Sequence, residues 1–291
     1  MDQATQLRNI IKCNQQRPVA RVITVTSGKG GVGKSSISVN LALNLQALGK
    51  RVVILDADFG LANVEIMLGV RPRYNLADLI YNGKNLKQII TDGPNGIGFL
   101  SGGSGIQELV NLSREQIITL TNALCELDEI ADVIIVDTGA GISDVVMEFI
   151  AASSEVLLVV TPEPTSMTDS YALLKTLSKR EDFLAECIPL RMISNRVETI
   201  SKGKELYDKL NVVVNKFLNI NIEFLGAVPQ DSYFSKAVFQ QNPVTIAYPK
   251  SISAQAISEL AFMINNNEII EQQMKKGISQ IFSNLFFKLG Q

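Results

Sequence analysis

The segment from Gly28 to Ser35 has the residue types and spacing needed to hold phosphate groups. It reads Gly-Lys-Gly-Gly-Val-Gly-Lys-Ser, follows the apolar run Val22–Val25 and precedes a stretch of helical period. In the pattern G-x-x-x-x-G-K-[ST], glycines let backbone N–H groups converge on a phosphate, and the following helix adds its positive dipole end. We expect Lys34 to contact the β- and γ-phosphates of a nucleotide and the Ser35 hydroxyl to bind Mg²⁺. The alternative, a glycine-rich turn that binds nothing, does not explain why all these features occur in register.

Three aspartates follow two further apolar runs. Asp56 and Asp58 come after Val52–Leu55, and Asp137 closes Val133–Val136. An apolar strand that ends on an aspartate after a phosphate loop is the Walker B arrangement, in which the carboxylate holds Mg²⁺ through water. For Asp56 and Asp58, a helix N-cap is the alternative role.

The elements that position these groups alternate between strand-length apolar runs and segments of helical period. Apolar runs of this kind, without alternation, are typical of strands in a parallel sheet covered by helices on both faces. The predicted strands are Val22–Val25, Val52–Leu55, Ile97–Leu100, Val133–Val136, Val156–Val160, Leu190–Ile193 and Ile222–Val228. We therefore predict an α/β fold with a doubly wound, mainly parallel sheet and ligands at the carboxyl ends of its strands. The core domain is expected over residues 21–267, between an N-terminal arm (1–20) and a C-terminal helix (268–291).

The C-terminal segment carries one apolar stripe at helical spacing. Its members share one predicted helix face: Ile278, Ile281, Phe282, Leu285, Phe286 and Leu289. Lys275, Lys276 and Lys288 flank the stripe, and no acidic residue follows Glu271. This composition favours a helix that lies in an anionic membrane surface. A terminal helix docked on the core is the alternative.

Composition excludes several classes of function. The 291 residues contain no histidine, which rules out Ser-His-Asp and Cys-His catalysis and leaves carboxylates as the available general bases. The net charge of −2 argues against nucleic-acid binding, for which a basic field is expected. Cys13, Cys125 and Cys187 lie far apart, which is typical of inert thiols in a reduced cytoplasm.

A second lysine, Lys29, lies inside the phosphate loop. The loop thereby resembles the deviant Walker A loop of the MinD, ParA and nitrogenase-iron-protein class of ATPases. This resemblance implies Mg²⁺-dependent hydrolysis of ATP to ADP by an ATP-dependent homodimer, in which Lys29 crosses to the partner's phosphates. It also implies that Asp58 orients the attacking water and that Asp56 lies near the Mg²⁺ shell. The remaining nucleotide contacts implied by the class are the rest of the loop (Gly28, Gly30, Gly31, Val32, Gly33), Ser36, and the base-binding residues Asn195, Arg196, Pro229 and Asp231.

The N-terminus is similar to the D-Q-A-x-x-L-R motif of the FlhG family of MinD-like flagellar regulators. The matching residues are Asp2, Gln3, Ala4, Leu7 and Arg8. The resemblance implies that this arm stimulates the GTPase FlhF, and that the chain acts on flagellar basal-body components from the inner face of the plasma membrane. A frayed terminus is the alternative for the arm. For the whole chain the alternatives are a cell-division MinD-like ATPase, a ParA-like DNA-partitioning ATPase and a non-catalytic nucleotide-gated adaptor.

Overall fold

A sheet of eight strands forms the centre of the protein. The computed structural model describes residues 19–58, 63–103, 114–180, 183, 188–266 and 278. The strands are β1 (Arg21–Thr26), β2 (Val52–Ala57), β3 (Thr91–Asp92), β4 (Gly98–Ser101), β5 (Val133–Thr138), β6 (Glu155–Val160), β7 (Leu190–Val197) and β8 (Glu223–Pro229). Their order is β3-β4-β2-β5-β1-β6-β7-β8, and every pair is parallel except β3 with β4. The predicted doubly wound, mainly parallel sheet is confirmed, and β3 is the strand that the apolar pattern missed.

Helices cover both faces of this sheet. In chain order they are α1 (Lys34–Ala47), α2 (Asn63–Leu68), α3 (Leu76–Tyr81), α4 (Leu86–Ile89), α5 (Arg114–Cys125), α6 (Leu127–Ile130), α7 (Asp144–Ala152), α8 (Pro164–Ser178), α9 (Ile200–Leu218), α10 (Ser232–Phe239), α11 (Val244–Ala247) and α12 (Ile252–Asn266). One 3₁₀ turn, Pro94–Gly96, precedes β4.

The central strands are apolar on both faces because both faces are covered. All residues of β1, β2, β5 and β6 are buried. Alternate residues of one strand join different core clusters: Ile54 packs in the cluster that contains α1 and α12, and Leu55 packs in the cluster that contains α3 and α7. Removal of this apolar surface from water is the main driving force that holds the strands in register.

The two ends of the chain lie mostly outside the described residues. The predicted partner-binding residues (Asp2, Gln3, Ala4, Leu7, Arg8) and most of the predicted membrane stripe (Ile281, Phe282, Leu285, Phe286, Leu289) fall there.

Ile278 is the one described residue of the predicted membrane stripe. It is helical, its side chain is fully buried, and it packs in the same cluster as Ala20, Leu127 and Phe149. At this residue the structure therefore has the docked arrangement, in which a membrane cannot reach the side chain. None of the described helices is both long and apolar enough to span a bilayer.

Candidate functional site

The phosphate loop connects β1 to α1 through two glycines with left-handed backbone angles. Gly31 has φ +76°, and Gly33, the N-cap of α1, has φ +98°. A Cβ on Gly33 would also lie 2.6 Å from Nδ2 of Asn195, so a larger residue is excluded by both strain and space. No side chain caps the N-terminus of α1, which leaves its first N–H groups directed at the loop for an anion to bind.

The loop is held from two sides by residues far away in sequence. A Cβ on Gly28 would lie 2.1 Å from the backbone carbon of Asp169, because the loop rests directly on α8. On the other side, Nδ2 of Asn195 donates a hydrogen bond of 2.7 Å to the Val32 carbonyl. Asn195 lines the same cavity as the predicted base residues, but in this structure its amide anchors the loop.

Two buried aspartates lie side by side beneath the loop. Asp56 and Asp137 occupy paired positions of the adjacent strands β2 and β5, and Asp137 is fully buried. Oδ1 of Asp137 accepts a hydrogen bond of 2.9 Å from Ser38, whereas Oδ2 has no partner among the described residues. Burial raises the pKa of Asp137 to about 6, and the nearby Ser35 hydroxyl and the charge of Lys34 oppose this shift. Burial and the neighbouring charge of Asp137 raise the pKa of Asp56 to about 8.

The side chain of Lys34 is buried above these carboxylates. Burial lowers the pKa of Lys34, and the charges of Asp137 and Asp58 oppose this shift. The donor set suits Mg²⁺, since it combines a serine hydroxyl with a carboxylate oxygen, Oδ2 of Asp137, that lacks a partner among the described residues. Ser35 and Asp137 would hold the ion.

Asp58 lies at the edge of the cavity, where β2 ends. Its Oδ2 accepts a hydrogen bond of 3.3 Å from Asn63, and a Cβ added to Gly139 would lie 3.5 Å from its Oδ1. The helix-capping role considered for Asp56 and Asp58 falls to Asp56, whose Oδ2 accepts from the Val64 N–H at 3.5 Å. Asp58 is thus close to the loop after β5 and lines the cavity.

Lys29 extends to the rim of the cavity, away from the predicted phosphate position. Its ammonium group donates to the Glu163 carboxylate and, at 2.7 Å, to the Thr165 hydroxyl. The hydrogen bond and charge of Lys29 lower the pKa of Glu163. Both partners belong to the start of α8, and no local pattern in the sequence connects them with Lys29.

The cavity beside the loop has a volume of about 1100 Å³. Lining residues that were predicted from the sequence are Gly30, Gly31, Gly33, Lys34, Ser35, Ser36, Asp58, Asn195, Arg196, Pro229 and Asp231. The carboxylate of Asp231 is already engaged, because it accepts from the Tyr233 N–H (2.9 Å) and the Ser253 hydroxyl (2.7 Å). This geometry makes Asp231 the N-cap of α10 at this end of the cavity.

Three apolar residues of α10 complete the cavity and were missed by sequence analysis. Phe234, Val238 and Phe239 line the end formed by Pro229 and Asp231. Phe239 is 93% exposed, which is unusual for so large an apolar side chain. The helical spacing of Phe234 and Val238 was the available signal, but it resembles that of any core-facing helix.

Three comparisons relate the chain to known proteins. Residues 18–265 match the ParA family, described as "NUBPL iron-transfer P-loop NTPase". The chain is 42% identical to antiactivator FleN of Pseudomonas aeruginosa over 246 residues, covering 84% of this chain and 86% of FleN. It is 32% identical to the flagellum site-determining protein YlxH of Helicobacter pylori, covering 99% of each chain. The fold is shared with the septum site-determining protein MinD of Pyrococcus horikoshii, whose structure was solved with Mg-ADP. The two chains are 24% identical and superpose with a TM-score of 0.65, which covers 88% of this chain and 100% of that one.

Proposed function

The chain belongs to the ParA family of P-loop NTPases and, within it, to the group of FleN and YlxH, and from this membership we propose that it is an ATP-driven dimerisation switch that regulates flagellar number or placement. It is an ATP-hydrolysing enzyme of the MinD and ParA type. We propose that ATP joins two copies face to face, that the dimer attaches to the inner face of the plasma membrane, and that slow hydrolysis separates the copies.

The position of Lys29 is the observation that carries this proposal. Lys34 already provides a buried cation beside the phosphate loop of the same chain. Lys29 is held at the rim by Glu163 and Thr165, with its side chain 33% exposed. A cation that its own cavity does not need, placed at the opening, is suited to the phosphates of a second copy. Since burying it requires an anionic partner, the triphosphate would favour the dimer more than the diphosphate does.

The residues around the phosphate loop have separate roles in binding the phosphates, holding Mg²⁺ and orienting the attacking water. The N-terminus of α1 and Lys34 bind and orient the β- and γ-phosphates. Ser35 and Asp137 would hold Mg²⁺, which when bound neutralises charge on the phosphate oxygens. Asp58 orients the attacking water, and its proximity to Gly139 places it beside the loop that follows β5. Asp56 fixes this segment through its hydrogen bonds with the backbone of Asp58 and Val64.

The flagellar part of the proposal rests on the relatives named FleN and YlxH. We propose that the N-terminal arm stimulates FlhF and that the dimer acts on flagellar basal-body components. Membrane attachment would use the apolar stripe Ile278–Leu289. Ile278 is buried in the core here, so this residue would have to leave the core before it could enter a bilayer.

The test separates dimerisation from hydrolysis. Lys29→Ala is expected to bind nucleotide but to remain monomeric with ATP in size-exclusion chromatography. Asp58→Ala is expected to stay dimeric with ATP, and its phosphate release should fall roughly 100-fold or more. Lys87→Ala, an exposed lysine outside the cavity, is the matched control and should behave like the parent. Equal turnover by Asp58→Ala and the parent, or an ATP-dependent dimer of Lys29→Ala, would refute the assigned roles.

A further inference from the structure

The two halves of α9 have different surfaces. In the first half, exposed charges are paired: Lys202 with Glu205 at 2.9 Å, and Lys204 with Asp208 at 3.2 Å. The second half exposes Val212 (65%), Val213 (40%) and Phe217 (65%). Positions three and four apart on a helix are neighbours, so these three side chains form one continuous surface with the exposed Lys209 and Lys216.

The lysines of this second half are not neutralised by the described part of the chain. Neither Lys209 nor Lys216 has an ion-pair partner there, and the ammonium of Lys216 lies 5.4 Å from the centre of the Phe217 ring. The sequence contains no acidic residue from Lys209 to Ile222. An exposed surface that combines large apolar side chains with unpaired lysines is complementary to anionic lipid headgroups above an apolar layer.

This surface lies at the end of the sheet opposite the nucleotide cavity. Helix α9 ends at Leu218, shortly before β8 begins at Glu223, and Glu223 is paired there with Arg191 near the start of β7. On the other sheet face, α12 reaches the same end, because the Ile264 carbonyl accepts a 2.8 Å hydrogen bond from Arg21, the first residue of β1.

The last turns of α12 expose apolar side chains at this end too. Phe262 is 56% exposed and Met263 is 38% exposed. The described domain ends at Asn266, from which the chain continues towards the lysine-flanked apolar stripe of residues 278–289. The surface of α9 and the last described residues of α12, which precede the C-terminal segment, therefore share one end of the described domain.

We propose that Val212, Val213 and Phe217, together with Lys209 and Lys216, form a membrane-contact surface on the folded domain, which binds anionic lipid alongside the C-terminal segment. This inference rests on the proposed membrane attachment and adds to it. Two weak contacts on one body reinforce each other, so the α9 surface would strengthen attachment beyond what the C-terminal segment provides alone.

The test uses the full chain with ATP and flotation on vesicles of phosphatidylethanolamine and phosphatidylglycerol. The double variant Val212→Ser, Phe217→Ser is expected to bind these vesicles roughly tenfold more weakly than the parent. Ile200→Ser is the matched control, because Ile200 is 50% exposed on the same helix but at the end near the cavity, and its binding should equal the parent's.

A second pair of variants tests the charges. Lys209→Gln and Lys216→Gln should each weaken binding roughly fivefold on these anionic vesicles and leave the weaker binding to phosphatidylcholine vesicles unchanged. Lys202→Gln, which removes a lysine that is already paired, should have little effect. Unfolding curves that match the parent's would show that each variant folds normally.

The outcomes separate this inference from the proposed function. If Phe282→Ser with Phe286→Ser abolishes flotation while the α9 variants float like the parent, membrane attachment stands and the α9 surface is overturned. If the α9 variants change the size-exclusion profile but not flotation, the surface contacts protein, and the inference is again overturned. If the parent itself does not float with ATP, the membrane part of the proposed function fails, and the α9 surface fails with it.

Discussion

The two ends of the sheet bury charge to the same extent but balance it in opposite ways. At the amino end, Glu155 is 2% exposed and each of its carboxylate oxygens accepts from an arginine, Arg21 on one side and Arg191 on the other. At the carboxyl end, Asp137 is fully buried, one of its oxygens has no partner among the described residues, and its pKa is raised. Burial alone therefore does not identify a functional carboxylate.

The two ends of the sheet differ in which groups contact their buried carboxylates. Arg21 also donates to the Ile264 carbonyl, so the amino-end network joins β1, β6, β7 and the last turn of α12. Such a network satisfies its charges inside the chain and needs no ligand. The carboxyl end leaves Asp56, Asp137 and Lys34 with shifted pKa values, which a nucleotide and its Mg²⁺ can restore.

The largest predicted effect on stability comes from removing the buried charge of Glu155 at the amino end of the sheet. Glu155→Gln removes the anion between two buried arginines, and unpaired buried charge is strongly destabilising, so we expect the free energy of unfolding to fall by about 3–5 kcal/mol. Urea unfolding without nucleotide measures this. Glu223→Gln is the control within the same network, since its side chain is 57% exposed, and it should cost less than about 1 kcal/mol. Equal stability of Glu155→Gln and the parent would contradict the assigned role.

A smaller effect is expected at the carboxyl end, where it depends on pH. The folded pKa of Asp56, about 8, lies above the unfolded value of 3.8, so the folded state retains a proton that the unfolded state has released. The free energy of unfolding should therefore fall as pH rises through this window, by roughly 2 kcal/mol between about pH 6 and pH 8. Asp56→Asn should remove most of this slope in urea titrations at several pH values.

Asp132 is a control for this titration because its pKa is shifted in the opposite direction to that of Asp56. The hydrogen bond from Arg51 lowers the pKa of Asp132, so its stabilising contribution is present above the unfolded value and is lost as pH falls below it. Asp132→Asn should consequently keep the parent's slope between about pH 5 and pH 8. A slope that Asp56→Asn leaves unchanged would show that Asp56 titrates normally in the folded protein.

The contrast between the carboxyl and amino ends of the sheet also explains which features could be predicted from the sequence. The phosphate loop and the strand-terminal Asp56, Asp58 and Asp137 are local patterns, and the parallel sheet follows from apolar runs without alternation. Contacts between distant segments were not predictable, because no local pattern records which strands become neighbours. The amino-end network of Arg21, Glu155, Arg191 and Glu223 is of this kind, although charged residues at the starts of buried strands were a usable signal.

Asn195 and Lys29 also show that contacts between distant segments are not recorded in a local sequence pattern. Asn195 was assigned to the base from resemblance, yet its amide bonds the Val32 carbonyl, a contact over 163 positions of sequence. The link between Lys29 and Glu163 spans 134 positions. The antiparallel strand β3 was missed for a different reason, because its two residues are too few to show a period.

The smallest predicted effect concerns the pair that holds Lys29 at the rim. Under the proposed dimerisation, Glu163 would compete with the phosphates bound by a second copy for the Lys29 ammonium. Glu163→Gln removes that competition, so ATP-dependent dimerisation should become tighter, by roughly two- to fivefold in analytical ultracentrifugation. The effect is small because the Glu163 side chain is 52% exposed, and exposed ion pairs contribute little.

A matched pair elsewhere on the surface isolates this effect. Glu205→Gln breaks the exposed pair with Lys202, whose side chains are 48% and 56% exposed, and should leave dimerisation unchanged. Lys29→Ala combined with Glu163→Gln should dimerise no better than Lys29→Ala alone, because Glu163 acts only by holding that lysine. If Glu163→Gln instead weakens the dimer, Glu163 is required after the lysine has crossed, and the rim pair is part of the assembled site rather than a competitor of it.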